Sequence, residues 1–271
     1  MSKGFRLLRV EYIFSVLVPC LLCIYLNNYD PISHIWILAG FGFYAITGNT
    51  LNDAIDMNDP TEKETLERVE GYQRKEILVL SITCFVLGTM CFWNVFVENL
   101  LLSVYLLIIV ALVVFYCKFK SLVIINQIIL GVSHIFLPWF MIKINAGDIA
   151  LNLFPYLTVF EWLILSAIAS VAFTGQMLHE LIDGDSLSKI TPKKAQIVIW
   201  IACSISLAIG ISSIILTQNL LFFPIIIFPI GILYIFRKPR NNLLGRTSLK
   251  DTGIILGNLI FAYVIILIIA P

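Results

Sequence analysis

The chain is expected to be an all-α polytopic membrane protein, a bundle of nine transmembrane helices with its N-terminus in the cytoplasm. Three observations carry that expectation. Of 271 residues, 59% belong to the AVILMFWYC set and only 13% are charged, where a soluble domain is about 45–50% apolar and about 25% charged. Apolar runs recur along the whole chain at close to the roughly 20 residues that a bilayer crossing needs. Seventeen of the eighteen Lys and Arg residues fall in alternate breaks between those runs. A mean hydropathy of +0.95 excludes a soluble globular enzyme and a disordered chain. The formal charge is +1, from 18 basic and 17 acidic residues, so no basic field is available to hold a nucleic acid. The partner that the composition does require is the lipid bilayer.

The apolar stretches fall at 11–27, 34–51, 76–96, 99–117, 121–142, 158–179, 195–216, 219–236 and 252–270. The first follows a basic start, as a signal peptide would, but lacks a small-residue cleavage site and reads as an uncleaved helix. Its Cys20 and Cys23 sit in VLVPCLLCIYL with no second cysteine pair nearby, which makes them packing residues. The eighth holds Pro224 and Pro229 and should kink. With the N-terminus inside, every basic residue except Lys143 lies on the cytoplasmic side, as the positive-inside rule requires. An even number of spans would scramble this pattern.

The acids are less evenly placed. The second span ends in GNTLNDAIDMNDP. At about 100° per residue, Asn49, Asn52, Asp53, Asp56 and Asp59 project within an arc of about 120°. The sixth ends in TGQMLHELIDGDS, where Gln176, His179, Glu180 and Asp183 share an arc of about 100°. An acidic residue near the middle of a span costs roughly 2.5–3.5 kcal/mol on insertion scales and much less at the interface. Either stripe alone reads as a solvated helix end. Two stripes on the same side, each with an amide a turn deeper, point instead to one shared site. Each is followed by a polar loop and a return helix. The chain is thus one membrane-embedded domain, 1–271, with an internal repeat of four-helix units at about 10–120 and 121–236 and a ninth helix at 252–270.

Clustered carboxylates without several His or Cys are hard oxygen ligands, suited to Mg²⁺, or to Mn²⁺, rather than zinc. Carboxylate-bound Mg²⁺ keeps positions open for phosphate oxygens. Arg68, Lys118, Lys120, Lys189, Lys193 and Lys194 lie in the same cytoplasmic segments. A site of this kind at the membrane face suits an amphiphile with a diphosphate head and an apolar tail.

These residues resemble the UbiA superfamily of intramembrane prenyltransferases, nine-helix bundles with aspartate-rich motifs at the cytoplasmic ends of the second and sixth helices. The first family motif is roughly N-D-x-x-D-x-x-x-D. Asn52-Asp53-Ala54-Ile55-Asp56-Met57-Asn58-Asp59 follows it through Asp56, with the last carboxylate one residue early. Arg68-Val69-Glu70-Gly71 resembles the basic-then-glycine stretch that comes next, and Tyr116-Cys117-Lys118-Phe119-Lys120 the end of the fourth helix. The second motif usually carries D-x-x-x-D, in some members after His-Glu. His179-Glu180-Leu181-Ile182-Asp183-Gly184-Asp185 brings its next Asp two residues on rather than four.

The resemblance implies Mg²⁺-dependent transfer of a prenyl chain from a prenyl diphosphate to a lipophilic acceptor within the membrane. Asn52, Asp56 and Asp59 would hold one ion, with Asp53 close by. Asp183, with Glu180 or Asp185, would hold the second. Arg68, Lys118, Lys120 and Lys189 would meet the diphosphate. Asn49, Asn126, His134, Gln176 and His179 are candidates to line the cavity, although Asn126, Ser133 and His134 on the fifth span also suit a helix-to-helix hydrogen bond. A UbiA-type terpene cyclase, which quenches the cation within its own chain, and a secondary transporter are the alternatives. Acids at helix ends beside basic loops, rather than at mid-membrane, argue against transport. His179-Glu180-x-x-Asp183 lacks the second histidine of a zinc-protease helix. Glu11, Glu98 and Glu161 start spans and read as interfacial residues, and the basic segment from Arg237 to Lys250 as an orientation signal that touches anionic lipid.

Overall fold

The computed structural model of the chain describes residues 3–60, 63–118, 125–148, 153–183, 186–240 and 246–270. Within them lie twelve α-helices and no β-strand. The first is a short helix, α1 (Lys3–Leu8), and α2 (Phe14–Leu26) follows a break at Arg9, whose backbone is left-handed at φ 47 and ψ 43. The second apolar stretch forms α3 (Ile35–Asp56). It stops there because Pro60 removes a backbone donor and pushes residue 59 out of the helical region. Asp59 therefore sits past the helix, exposed, with its N–H on the Asp56 carbonyl at 2.8 Å. Its expected place on the helical stripe is corrected by that stop.

A short helix, α4 (Lys63–Val69), lies in the following loop. Gly71 at φ +86 turns the chain, in a region that costs a glycine nothing. Gln73 and Glu76 then form a reciprocal cap that starts α5 (Arg74–Glu98). The helices α3 and α5 make the most extensive pairing in the fold. They approach closely because a side chain at Gly40 would strike Phe92, and one at Gly88 would strike Tyr44.

Next come α6 (Leu100–Lys118) and a rod built of α7 (Ile125–Gly131), a π-helical segment at Val132–Phe136, and α8 (Leu137–Asn145). Pro138 lacks an N–H and its ring crowds the carbonyl four residues back, which accounts for the widened turn just before it. The remaining helices are α9 (Val159–Asp183), α10 (Pro192–Thr217), α11 (Pro224–Ile235) and α12 (Thr247–Ile269). The expected kink in the eighth stretch is a full break: a 3₁₀ turn at Leu220–Phe222 precedes Pro224, which begins α11. Twelve helical residues span only about 18 Å.

The core lies between α2 and α8, where Cys20, Cys23, Ile24, Trp139, Met141 and Ile142 are buried. Cys20 and Cys23 are free thiols in this packing, as the sequence indicates. The outer faces are apolar as well. Along α5, Val79, Ile82, Val86, Met90, Trp93 and Val97 are exposed at helical spacing, a belt that suits lipid rather than water. Among the described residues, six helical stretches are long and apolar enough to cross a membrane: Phe5–Leu26, Arg74–Glu98, Gln127–Asn145, Val159–Ile182, Pro192–Thr217 and Ser248–Ile269. Leu100–Tyr116 and Leu220–Ile235 are apolar but shorter.

Candidate active site

At the end of α3 the two neighbouring acids have different surroundings. Asp53 is fully buried and clasped by two arginines. Arg68 of α4 forks onto it, Nε to Oδ2 at 2.8 Å and Nη2 to Oδ1 at 3.1 Å. Arg9 Nη1 lies 3.5 Å from the same Oδ1. The left-handed backbone at Arg9 turns the chain between α1 and the α2 entry, and its guanidinium rests over the Tyr12 ring, 4.4 Å from the centroid. Arg68, expected on a phosphate, is here an ion-pair partner of Asp53 that pins α4 against α3. Two cations on one buried carboxylate leave a local positive excess beside Asp56.

Asp56 is also buried and accepts a hydrogen bond from Asn52 Nδ2 at 2.8 Å. A spacing of four residues brings the two side chains together on one helical face. Because the amide nitrogen points at the carboxylate, the Asn52 carbonyl oxygen is left buried with no partner. Asn49, one turn earlier, donates to the Arg9 carbonyl at 3.4 Å, which ties α3 to the N-terminal segment.

The end of α9 repeats this arrangement with a residue from another helix. Glu180 is buried and accepts from Gln127 Nε2 of α7. The Gln127 oxygen is buried with no partner. Gln127 is absent from both sequence motifs, and the reading of the fifth span chose its neighbour Asn126. A signal was there: Gln127 stands seven residues before His134, about 20° from it around the helix. Ser133 and His134 hydrogen-bond to each other within their own rod, Oγ to Nδ1 at 2.8 Å. Gln176 and His179 are half-buried, and Lys189 is exposed on the 3₁₀ turn Ser186–Lys189. The side chains of Asp183, Lys118 and Asn126, and the whole of Lys120 and Asp185, lie outside the described residues.

An apolar cavity of about 330 Å³ opens next to this second cluster. It is lined by Gln127, Ile128, Gly131, Val132 and Phe136 of the rod, Ala169, Ser170 and Phe173 of α9, and Ala202 and Ile205 of α10. Its α9 wall begins seven residues before Glu180, roughly 10 Å along the helix.

The UbiA prenyltransferase family model matches residues 16–187, which spans α2 through the second acidic cluster. The chain belongs to that family, and it is a membrane-embedded prenyltransferase. The UbiA homologue from Archaeoglobus fulgidus, in a structure bound to GPP and Mg²⁺, aligns over 98% of this chain and 99% of its own with a TM-score of 0.69 at 16% identity. The same homologue bound to DMAPP and Mg²⁺ aligns over the whole of both chains with a TM-score of 0.68 at 16% identity. A digeranylgeranylglyceryl phosphate synthase aligns over 99% of this chain and 98% of its own with a TM-score of 0.59 at 14% identity. No curated protein sequence matches. At these identities the likeness carries the UbiA fold alone; the family match and the six apolar stretches make the chain an integral multi-pass membrane protein.

Proposed function

We propose that this UbiA-family chain transfers a prenyl group from a prenyl diphosphate to a lipophilic acceptor, with Mg²⁺ bound at the ends of α3 and α9. The observation that carries the reading is the pair of buried carboxylates, Asp56 and Glu180, each held by an amide whose own oxygen lacks a donor. A buried unsatisfied oxygen costs about 1–3 kcal/mol, and a hard divalent cation is satisfied by this kind of donor set. The binding of GPP, DMAPP and Mg²⁺ by the Archaeoglobus homologue supports the same assignment.

In this reading the chain crosses the membrane nine times from a cytoplasmic N-terminus, with α3, α6 and α11 joining the six stretches named above. Three spans lie between α3 and α9, so the two run in the same direction and their acidic ends face the same cytoplasmic side and one chamber. The α3–α5 and α9–α10 pairings, an acid-ended helix against its return helix, fit the two four-helix units. Asn52 and Asp56, with Asp59, hold one ion, and Glu180 and Asp183, with Asp185, hold the other. Bound Mg²⁺ neutralises charge on the departing diphosphate. Lys118, Lys120 and Lys189 approach the phosphate oxygens, while Arg68 and Arg9 fix Asp53 and offset its charge. The apolar cavity beside Gln127 receives hydrocarbon. At about 330 Å³ it stands at the small end of the range of about 300–1,000 Å³ for ligand pockets.

The test is incubation of membranes containing the protein with C10, C15 and C20 prenyl diphosphates and Mg²⁺, followed by mass spectrometry of the lipids. A prenylated lipid is expected from the wild type and none from Asp56→Ala, which should remain folded. Turnover by Asp56→Ala at the wild-type rate overturns the assignment. A cyclised hydrocarbon formed with no acceptor would move the reading to the cyclase.

A further inference from the structure

We infer that Gln127, which belongs to neither acidic motif, is a ligand of the second cation: its amide oxygen stands to Glu180 as Asn52 Oδ1 stands to Asp56. The inference rests on the divalent-cation reading above and deepens it. Gln127 and Glu180 are 3% and 4% exposed and come from different helices, 53 residues apart. A carboxylate only accepts, so it fixes which end of the amide faces it. The nitrogen of Gln127 turns to Glu180, and the oxygen is left without a donor.

Among the described residues, four buried side-chain polar atoms have no partner: Arg9 Nε, Asn52 Oδ1, Gln127 Oε1 and Trp139 Nε1. Two of them are acceptors. Both are amide oxygens, and both belong to an amide that donates to a carboxylate at the end of an acid-bearing helix. A helix-to-helix hydrogen bond accounts for the Gln127 nitrogen but leaves its oxygen unexplained. A cation next to Glu180 accounts for both, because hard divalent ions take neutral amide oxygens together with carboxylates. A neutral ligand also suits the chemistry. It adds a donor atom without adding negative charge where a diphosphate has to bind.

The test reads metal binding directly. Purified protein in nanodiscs is titrated with Mn²⁺ in the presence of inorganic diphosphate, and free Mn²⁺ is followed by EPR. The wild type is expected to bind two ions. Gln127→Leu should keep one and bind the other at least tenfold more weakly. Gln127→Glu, which retains an oxygen at that position, should recover much of the loss. Asn52→Leu should weaken the other ion instead, and the double variant should weaken both. If Gln127→Leu does not fold, Gln127→Met, unbranched and of similar length, takes its place. A Gln127→Leu titration that superimposes on the wild type, with Asn52→Leu still losing an ion, overturns the inference and leaves the cation site standing. A wild type that binds no Mn²⁺ overturns the broader reading.

Discussion

Replacing Arg68 with Met removes the fork from a carboxylate that has no exposure to solvent. Asp53 is 0% exposed and the Arg68 side chain only 17%, so the pair is little screened. Breaking a buried pair by deleting one partner costs about 3–5 kcal/mol, because the remaining charge stays buried. Arg9 Nη1 remains 3.5 Å from Asp53 Oδ1 and compensates part of the loss, which places the expected cost near the lower limit, at about 3 kcal/mol. Asp53→Asn alone leaves two arginines facing a neutral amide and should also destabilise. The double variant removes both charges, so it should lose less than the sum of the singles, with a coupling of about 1–3 kcal/mol. Arg68→Lys keeps the charge but cannot fork and should fall between Arg68→Met and the wild type. The assay is thermal unfolding in detergent for all four variants, together with KM for geranyl diphosphate. A role centred on Asp53 predicts a large coupling and little change in donor KM. Additive stabilities with a raised donor KM for Arg68→Met would refute this reasoning and return Arg68 to the phosphate.

A side chain added at Gly131 meets nothing within 4 Å and stands in the wall of the apolar cavity. Gly131→Leu should therefore leave thermal stability nearly unchanged while shortening the longest donor accepted, read from relative turnover of C10 and C20 diphosphates; equal loss for both lengths would argue against a tail site. Lys143→Met strands the 4%-exposed Glu161 and should lower stability by about 3–5 kcal/mol, whereas Lys143→Met with Glu161→Gln should recover much of it, as measured by unfolding in detergent. Lys143, followed by the Tyr29 hydroxyl, holds the Asp148 carboxyl below its ordinary value. A carboxylate of this kind contributes stability that is fully present above the usual value of about 3.9 and lost as pH falls through the lower folded one. Asp148→Asn should therefore flatten the acid limb of a stability–pH profile below about pH 4; an unchanged limb would remove Asp148 from it.

Local periodicity made half of the candidate site legible in the sequence. Asn52 and Asp56 are four residues apart in one helix, and the angular arithmetic that grouped them needs nothing from the rest of the fold. The same arithmetic failed at Asp59 because it assumed the helix continued. Pro60 was visible, and its effect on residue 59 is local. Arg9 and Gln127 were out of reach for another reason. Each acts on a carboxylate more than forty residues away, Arg9 on Asp53 and Gln127 on Glu180, and no spacing rule connects such pairs. Arg68 fell between the two cases: its charge was read correctly, but its partner turned out to be a carboxylate within the chain. The aspartates said where to look, and the tertiary contacts separate Asp53, held by arginines, from Asp56, held by an amide.

In the orientation expected from the sequence, Lys143 is the one basic residue that falls opposite the others, and its surroundings explain why it does not disturb that pattern. It is 2% exposed and meets Asp148 at 2.8 Å, Glu161 at 3.2 Å and the Asn27 oxygen at 3.0 Å. Asn27 in turn donates to Glu161 at 2.9 Å, and the backbone N–H of Thr158 donates to its other oxygen at 2.8 Å. Glu161, which its position marks as an interfacial residue, is thus a buried acceptor at the start of α9. A lysine neutralised in this way presents no free charge to the membrane surface, and uncompensated Lys and Arg in short loops are what the orientation bias weighs. The network also joins the end of α2, the end of α8 and the start of α9 at the end of the bundle away from the acidic site. The helix carrying Glu180 is therefore tied at its start by charge pairs, while near its other end Gln127 donates to Glu180 and Met177, Leu178, Leu181 and Ile182 pack into an apolar cluster.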